Sequence, residues 1–239
     1  MKHVKFEDII LYEDDNLIVV NKPPHLPSLD ERTGEGQSLL RIAKKYCEDA
    51  QLCHRLDKET SGALVIAKNN DTYRHMSVQF ENRKVEKTYH AFVDGIVRFD
   101  NVKVDLPIRV DKSNRVNIDL SDGKPATTYF NTLEQFNYFT LIECKPVTGR
   151  MHQIRIHLAS QNAVITGDEA YRGKKPLLSS FKRNYNYPKW EHERPIANRF
   201  LLHAAKISFT TPNSKVLTID APYAKDFNAF LKIVKRNNL

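Results

Sequence analysis

The 239-residue chain is 41% hydrophobic, enough for one sizeable core or two closely packed halves. Its 37 Lys and Arg against 29 Asp and Glu leave a formal net charge of +8, which favours a polyanion and puts nucleic acid first among partner classes. A charged start and the lack of any apolar run near the roughly 20 residues of a membrane span argue against export and membrane insertion. Cys47, Cys53 and Cys144 lack the paired spacing of a zinc or redox site and read as reduced thiols in a cytoplasmic protein.

Residues 9–20 are an apolar stretch broken by Asp14, Asp15 and Asn16, the pattern of a short hairpin, and Pro23, Pro24 and Pro27 then impose an ordered loop. Within residues 38–46, Leu39, Ile42 and Ala43 recur at helical spacing, whereas 63–67 is a short apolar run flanked by Gly62 and Lys68, read as a buried strand. From 71 to 83, Tyr73, Met76 and Phe80 predict the apolar face of a helix capped by Asn70. Strand character resumes at 88–93, and a second hairpin is predicted from 126–133 and 138–144 around Phe136 and Asn137. Met151, Ile154 and Leu158 predict a helix starting near Met151, and 200–209 and 216–219 read as late strands.

The segment 174–194 has no period and carries Lys182, Arg183, Tyr185, Tyr187 and Trp190. It reads as a surface insertion whose interleaved basic and aromatic residues suit either an RNA-contacting loop or a solvated one. No repeat, low-complexity tract or linker divides the chain, so residues 1–239 are expected to form a single α+β domain with much antiparallel pairing.

The densest polar cluster is His54-Arg55-Leu56-Asp57-Lys58-Glu59-Thr60-Ser61-Gly62, lying between Leu52 and the apolar run that starts at Ala63. Taken alone, Asp57 reads as a turn or capping residue bonded to the Thr60 or Ser61 backbone. Its context, however, resembles the catalytic motif of the RluA-type pseudouridine synthases, including the aspartate and the Thr-Ser-Gly turn. Further segments resemble the same family in the same order: Leu11-Tyr12-Glu13-Asp14-Asp15 through Asn21-Lys22-Pro23, then Lys87-Thr88-Tyr89, then Gly149 to Leu158, then Gly167-Asp168 with Tyr171, and finally Leu202-His203-Ala204. Two positions depart from the pattern. His25 replaces a usual glycine, which bears on loop geometry, and Met151 replaces a threonine, which bears on a hydrogen bond. Because the first motif lies close to the start of the chain, the resemblance implies a stand-alone catalytic domain without the S4-like N-terminal domain of many relatives.

The resemblance implies the pseudouridine synthase fold, a central mixed and largely antiparallel sheet in two halves, with flanking helices and a basic cleft. It implies isomerisation of a uridine in ribosomal or transfer RNA, flipped out of its stack at a cost of a few kcal/mol. Asp57 is the implied catalytic carboxylate, Arg155 its charge partner and Tyr89 the ring that stacks on uracil, while Arg55 fills the gap left in the RNA. Ile154 is implied to line the pocket, and His54, Thr60 and Arg150 complete the expected substrate-binding set. A carboxylate can stabilise charge at C1′, add covalently or remove a sugar proton, so no cofactor or metal is expected. His54, His152 and His157 form no recognisable ligand set. The default oligomeric state is a monomer. An RNA glycosidase and a non-catalytic RNA-binding or RNA-folding factor are the competing readings.

Overall fold

The computed structural model describes residues 4–30, 36–182, 185 and 192–238. The chain divides into two compact units, Met1–Thr88 with His203–Ala224, and Tyr89–Leu202 with Lys225–Leu239.

In the first unit the predicted hairpin is β1 (Ile10–Glu13) and β2 (Leu17–Lys22), paired antiparallel. Asp14 makes the turn, its Oδ1 accepting the N–H groups of Asn16 and Leu17 at 2.8 and 2.7 Å. Helix α1 (Leu39–Tyr46) starts at Ser38, whose hydroxyl accepts the Arg41 N–H at 3.1 Å, and Lys44 and Lys45 complement the dipole in its last turn. Strand β4 (Ser61–Ala67) is buried along its whole length, as an uninterrupted apolar run requires. One edge of β4 pairs with β2. The other is shared by β3 (Gln51–Leu52), antiparallel at Ile66 and Ala67, and β11 (Leu202–Thr210), parallel at Ser61 and Gly62; β12 (Val216–Asp220) pairs antiparallel with β11.

Helix α2 (Asn70–Glu81) differs from the sequence expectation in two ways. The cap is Asn69 rather than Asn70, its Oδ1 accepting the Thr72 N–H at 2.9 Å. Tyr73 is exposed, and the buried stripe is Thr72, Met76 and Gln79. Gln79 tolerates burial because its amide bonds both the carbonyl and the N–H of Thr210, at 2.7 and 2.9 Å, a satisfaction that hydrophobic spacing cannot register. Met76 joins Leu17, Val19, Ala63, Val65, Ile207 and Phe209 in the core of this unit.

The second unit is built on β5 (Glu86–Asp94), most of which lies in it, paired antiparallel with β10 (Phe139–Pro146); β10 pairs with β9 (Thr127–Gln135), and β9 with β6 (Val102–Asp105). The hairpin expected around Phe136 and Asn137 is β9–β10. Among the elements the sequence reading did not locate are the small sheet of β7 (Ile108–Val110) with β8 (Val116–Ile118), and helix α4 (Lys225–Arg236), although Phe227, Phe230 and Val234 recur at helical spacing. Helix α4 buries Phe227, Phe230 and Val234 in an aromatic cluster with Phe92, Phe136, Phe139 and Phe181, each buried ring contributing about 2–3 kcal/mol. Asp226 in its first turn is anchored by the buried Arg199, Nε to Oδ2 at 2.6 Å and NH2 to Oδ1 at 2.9 Å.

Helix α3 (Gln153–Ser160) begins two residues later than Met151 because His152 lies in the left-handed region at φ 54°. Gln153 locks this start. Its Oε1 accepts the Thr148 hydroxyl and the Arg150 N–H at 2.7 and 3.0 Å, and its Nε2 donates to the Thr127 carbonyl and the Thr128 hydroxyl at 2.9 and 3.0 Å. Every residue from Gln153 to Leu158 is buried, so this helix has no solvent face for an amphipathic pattern to reveal.

Of the 174–194 segment, Leu178–Ser180 forms a 3₁₀ turn, and Lys182 lies over the Tyr185 ring at 5.5 Å. Arg183, Tyr187 and Trp190 lie outside the described residues. No helix among the described residues is long and apolar enough to cross a membrane.

Candidate active site

The loop carrying Asp57 leaves β3 and runs back along the open edge of β4. Two ladder contacts hold its beginning: Cys53 N–H donates to the Val65 carbonyl at 3.0 Å, and Val65 N–H donates to His54 Nε2 at 3.1 Å. His54 thus substitutes a ring nitrogen for a strand carbonyl, and its ring packs on Phe80 with centroids 4.9 Å apart. Burial, with the nearby Lys87 charge, brings its pKa down to about 3, so it is neutral with the proton on Nδ1.

The far end of the loop is a turn, Thr60 N–H donating to the Asp57 carbonyl at 3.0 Å. The sequence alternative of Asp57 as a turn residue is therefore realised by its backbone oxygen. Thr60 is buried, Asp57 half-buried, and Arg55 exposed.

Two side chains that sequence reasoning did not single out hold the residues on either side of Asp57, Leu56 and Lys58. Lys22 at the end of β2 is fully buried, and its ammonium donates to the carbonyls of Pro23, Leu26 and Lys58 at 3.1, 2.8 and 3.1 Å. Burying an ammonium costs several kcal/mol, and three charge-assisted bonds of about 1.5–3 kcal/mol each offset that cost. Ser28 bonds both backbone groups of Leu56, donating to its carbonyl at 2.7 Å and accepting its N–H at 3.0 Å. The Asn21-Lys22-Pro23 match was the available signal for Lys22; for Ser28 there was none.

In the second unit Arg155 is buried on α3 and forms a bidentate pair with Asp168, Nε to Oδ2 at 2.7 Å and NH2 to Oδ1 at 2.8 Å. Its guanidinium lies 4.2 Å from the Phe200 ring centroid and 5.2 Å from that of Tyr171, whose hydroxyl is 3.1 Å from His152 Nδ1. The planar fork is held edge-on by a carboxylate and face-on by rings, a geometry lysine cannot reproduce. Asp168 follows Gly167, whose φ of +85° and whose approach to the Arg199 carbonyl, 2.4 Å from where a Cβ would stand, admit glycine alone.

Tyr89 on β5 pairs opposite Cys144 and packs against the core cluster that contains Ile154. Lys87, two residues earlier on the same strand face, is brought down to about 8 by burial. Arg150 is exposed, its Nε donating to the Pro125 carbonyl at 3.2 Å. His157 is buried between the Leu106 carbonyl and the Thr128 hydroxyl, both at 2.9 Å, which assigns it a structural role. Of the expected set, the first unit carries His54, Arg55, Asp57 and Thr60 on one loop, and the second carries Tyr89, Arg150, Ile154 and Arg155.

The first unit of this mixed α+β chain pins an aspartate loop to a buried strand, and the second presents a buried arginine from an enclosed helix. Residues 16–160 match the family described as RNA pseudouridylate synthase. The chain belongs to that family, and within it to the RluA type. It is 35% identical over 239 residues to the ribosomal large subunit pseudouridine synthase D of Neisseria meningitidis, covering 95% of this chain and 61% of that one. It is 34% identical over 214 residues to the dual-specificity RNA pseudouridine synthase RluA of Vibrio parahaemolyticus, covering 86% and 78%. The chain thus spans less than two thirds of the Neisseria relative's length. Among solved structures, human RNA pseudouridylate synthase domain containing 4 superposes with a TM-score of 0.70 at 24% identity, over 96% of this chain and 94% of that one, which shows the fold.

Proposed function

We propose that this protein isomerises specific uridines of structured RNA to pseudouridine, breaking the bond from N1 to C1′, turning the uracil and joining C5 to C1′. The observation that carries the reading is the Asp57 loop: nine consecutive residues matching the catalytic motif of a family to which the chain belongs, with the neighbouring residues Lys58 and Leu56 held by Lys22 and Ser28. Asp57 serves as the essential carboxylate, Arg155 as the fixed positive charge, and Tyr89 as the surface on which uracil stacks. Arg55, exposed on the Asp57 loop, enters the gap left by the flipped nucleotide. Thr60, Ile154 and Arg150 complete the substrate-binding set. His54 supports the loop from within, since its Nε2 is engaged by Val65.

Ribosomal RNA is the favoured substrate class, supported by relatives named for the ribosomal large subunit, with transfer RNA next. The reaction asks for no redox or metal cofactor, and the protein is assigned to the cytoplasm as one catalytic domain acting as a monomer. The test is to inactivate the gene, map pseudouridine across ribosomal and transfer RNA, and restore either the native chain or Asp57→Asn. Loss of a discrete site, rescued by the native chain and not by Asp57→Asn, is the expected outcome, with the purified variant slower by about 10⁴-fold or more. Free uracil released from RNA would instead identify a glycosidase, and rescue by Asp57→Asn a non-catalytic RNA factor.

A further inference from the structure

We propose that Ser28 is a positioning residue for Asp57, acting through the Leu56 peptide; this rests on reading Asp57 as the reaction's carboxylate. Ser28 lies 28 residues before Leu56 and is 5% exposed, so its hydroxyl bonds are made away from solvent. That hydroxyl is donor to the Leu56 carbonyl and acceptor from the Leu56 N–H, which uses its proton and one lone pair on the two backbone groups of the residue preceding Asp57. Fixing both groups of one residue sets the direction in which the chain enters the next, and hence where the Asp57 Cα–Cβ bond points.

Ser28 can do this because it is itself held from behind. The first N–H groups of α1, which have no partner within the helix, donate to the segment that carries it: Leu39 N–H to the Pro27 carbonyl at 2.8 Å and Leu40 N–H to the Ser28 carbonyl at 3.1 Å. Lys22 grips the Leu26 carbonyl at one end of the same segment and the Lys58 carbonyl beyond Asp57 at the other. Helix, segment, hydroxyl and loop thus form one hydrogen-bonded chain, and Ser28 is the link that touches the residue before the carboxylate. Alanine removes this link without adding volume. Threonine keeps the hydroxyl.

The reaction exchanges the C5 proton with water as C5 joins C1′, so tritium release from RNA labelled with [5-³H]uridine, prepared from cells lacking the protein, reads turnover. Single-turnover rates are measured against enzyme concentration and referred to the folded fraction given by near-ultraviolet circular dichroism in the same sample. Ser28→Ala is expected to lower the saturating rate roughly 10- to 100-fold, with the half-saturating enzyme concentration unchanged within about twofold, because the carboxylate is misplaced while RNA contacts persist. Ser28→Thr is expected to recover the rate to within about threefold. A native rate in Ser28→Ala, or equal losses in both variants per folded molecule, would overturn the proposal. Asp57→Asn run alongside separates the two readings. If it releases tritium at the native rate, the assignment of Asp57 fails and this proposal with it; if it is inactive while Ser28→Ala is native, the positioning role alone fails.

Discussion

His25 occupies the left-handed region at φ 65°, where an L side chain is strained by about 1–2 kcal/mol and glycine is not. It is exposed, so its imidazole contributes little packing to offset that strain. His25→Gly is therefore expected to raise stability by about 0.5–1 kcal/mol, the relief of strain exceeding the added entropy of the unfolded chain, as an upward shift of the urea midpoint would show. The sequence flagged this residue as a departure from the family glycine, and the backbone gives the reason glycine is usual there. Lys22 is the opposite case. Lysine is among the residues least often buried, and beyond the Asn21-Lys22-Pro23 match its local sequence does not announce an ammonium enclosed by three carbonyls that come from two segments.

Among the elements, β4 is the one on which the Asp57 loop depends, and its register with β11 is set by Gly62. A Cβ there would stand 2.2 Å from the Ala204 carbonyl oxygen, at a φ of +115°. Gly62→Ala is expected to cost about 3 kcal/mol or more, whereas Gly149→Ala, with no atom within 4 Å of its new Cβ, should stay within about 0.5 kcal/mol of the native protein in thermal unfolding. Equal stability of the two variants would remove the close approach of β4 and β11 as the reason for this glycine. The elements that periodicity located, β1–β2, α1, β4 and β9–β10, bury one face or are apolar throughout. Strands β7 and β8, which it missed, are three residues each, too short for a period to register, and α4, whose Phe227, Phe230 and Val234 do recur at helical spacing, is tied in its first turn to Arg199, 27 residues away.

For the whole molecule, His54 and His157 set an acid limit on stability. His54 titrates at about 3 in the folded chain, and burial likewise lowers His157, although the Leu106 carbonyl and Asp105 act against that shift. His54 is neutral in the fold. As pH falls below the unfolded value near 6.5, the unfolded chain takes up protons that the folded chain refuses, so stability is full above that pH and declines below it. The urea midpoint is expected to drop between pH 7 and pH 5, above the range where carboxylates titrate. His54→Gln combined with His157→Gln should flatten that slope, and a midpoint that held or rose on acidification in the native protein would contradict the account.

The order of the motifs, the hairpins, helix α1, the buried strand β4 and the family were legible in the chain alone, because each is written in residues adjacent in sequence or repeating at a fixed period. The loop that carries Asp57 could be singled out for the same reason: nine contiguous residues specify it. Ser28 holding the Leu56 peptide, Asp168 holding Arg155, and Gln79 and Gln153 buried as satisfied amides were decided by tertiary structure. Each is a polar group whose burial is favourable only when a partner from another element meets it, and that meeting has no local signature.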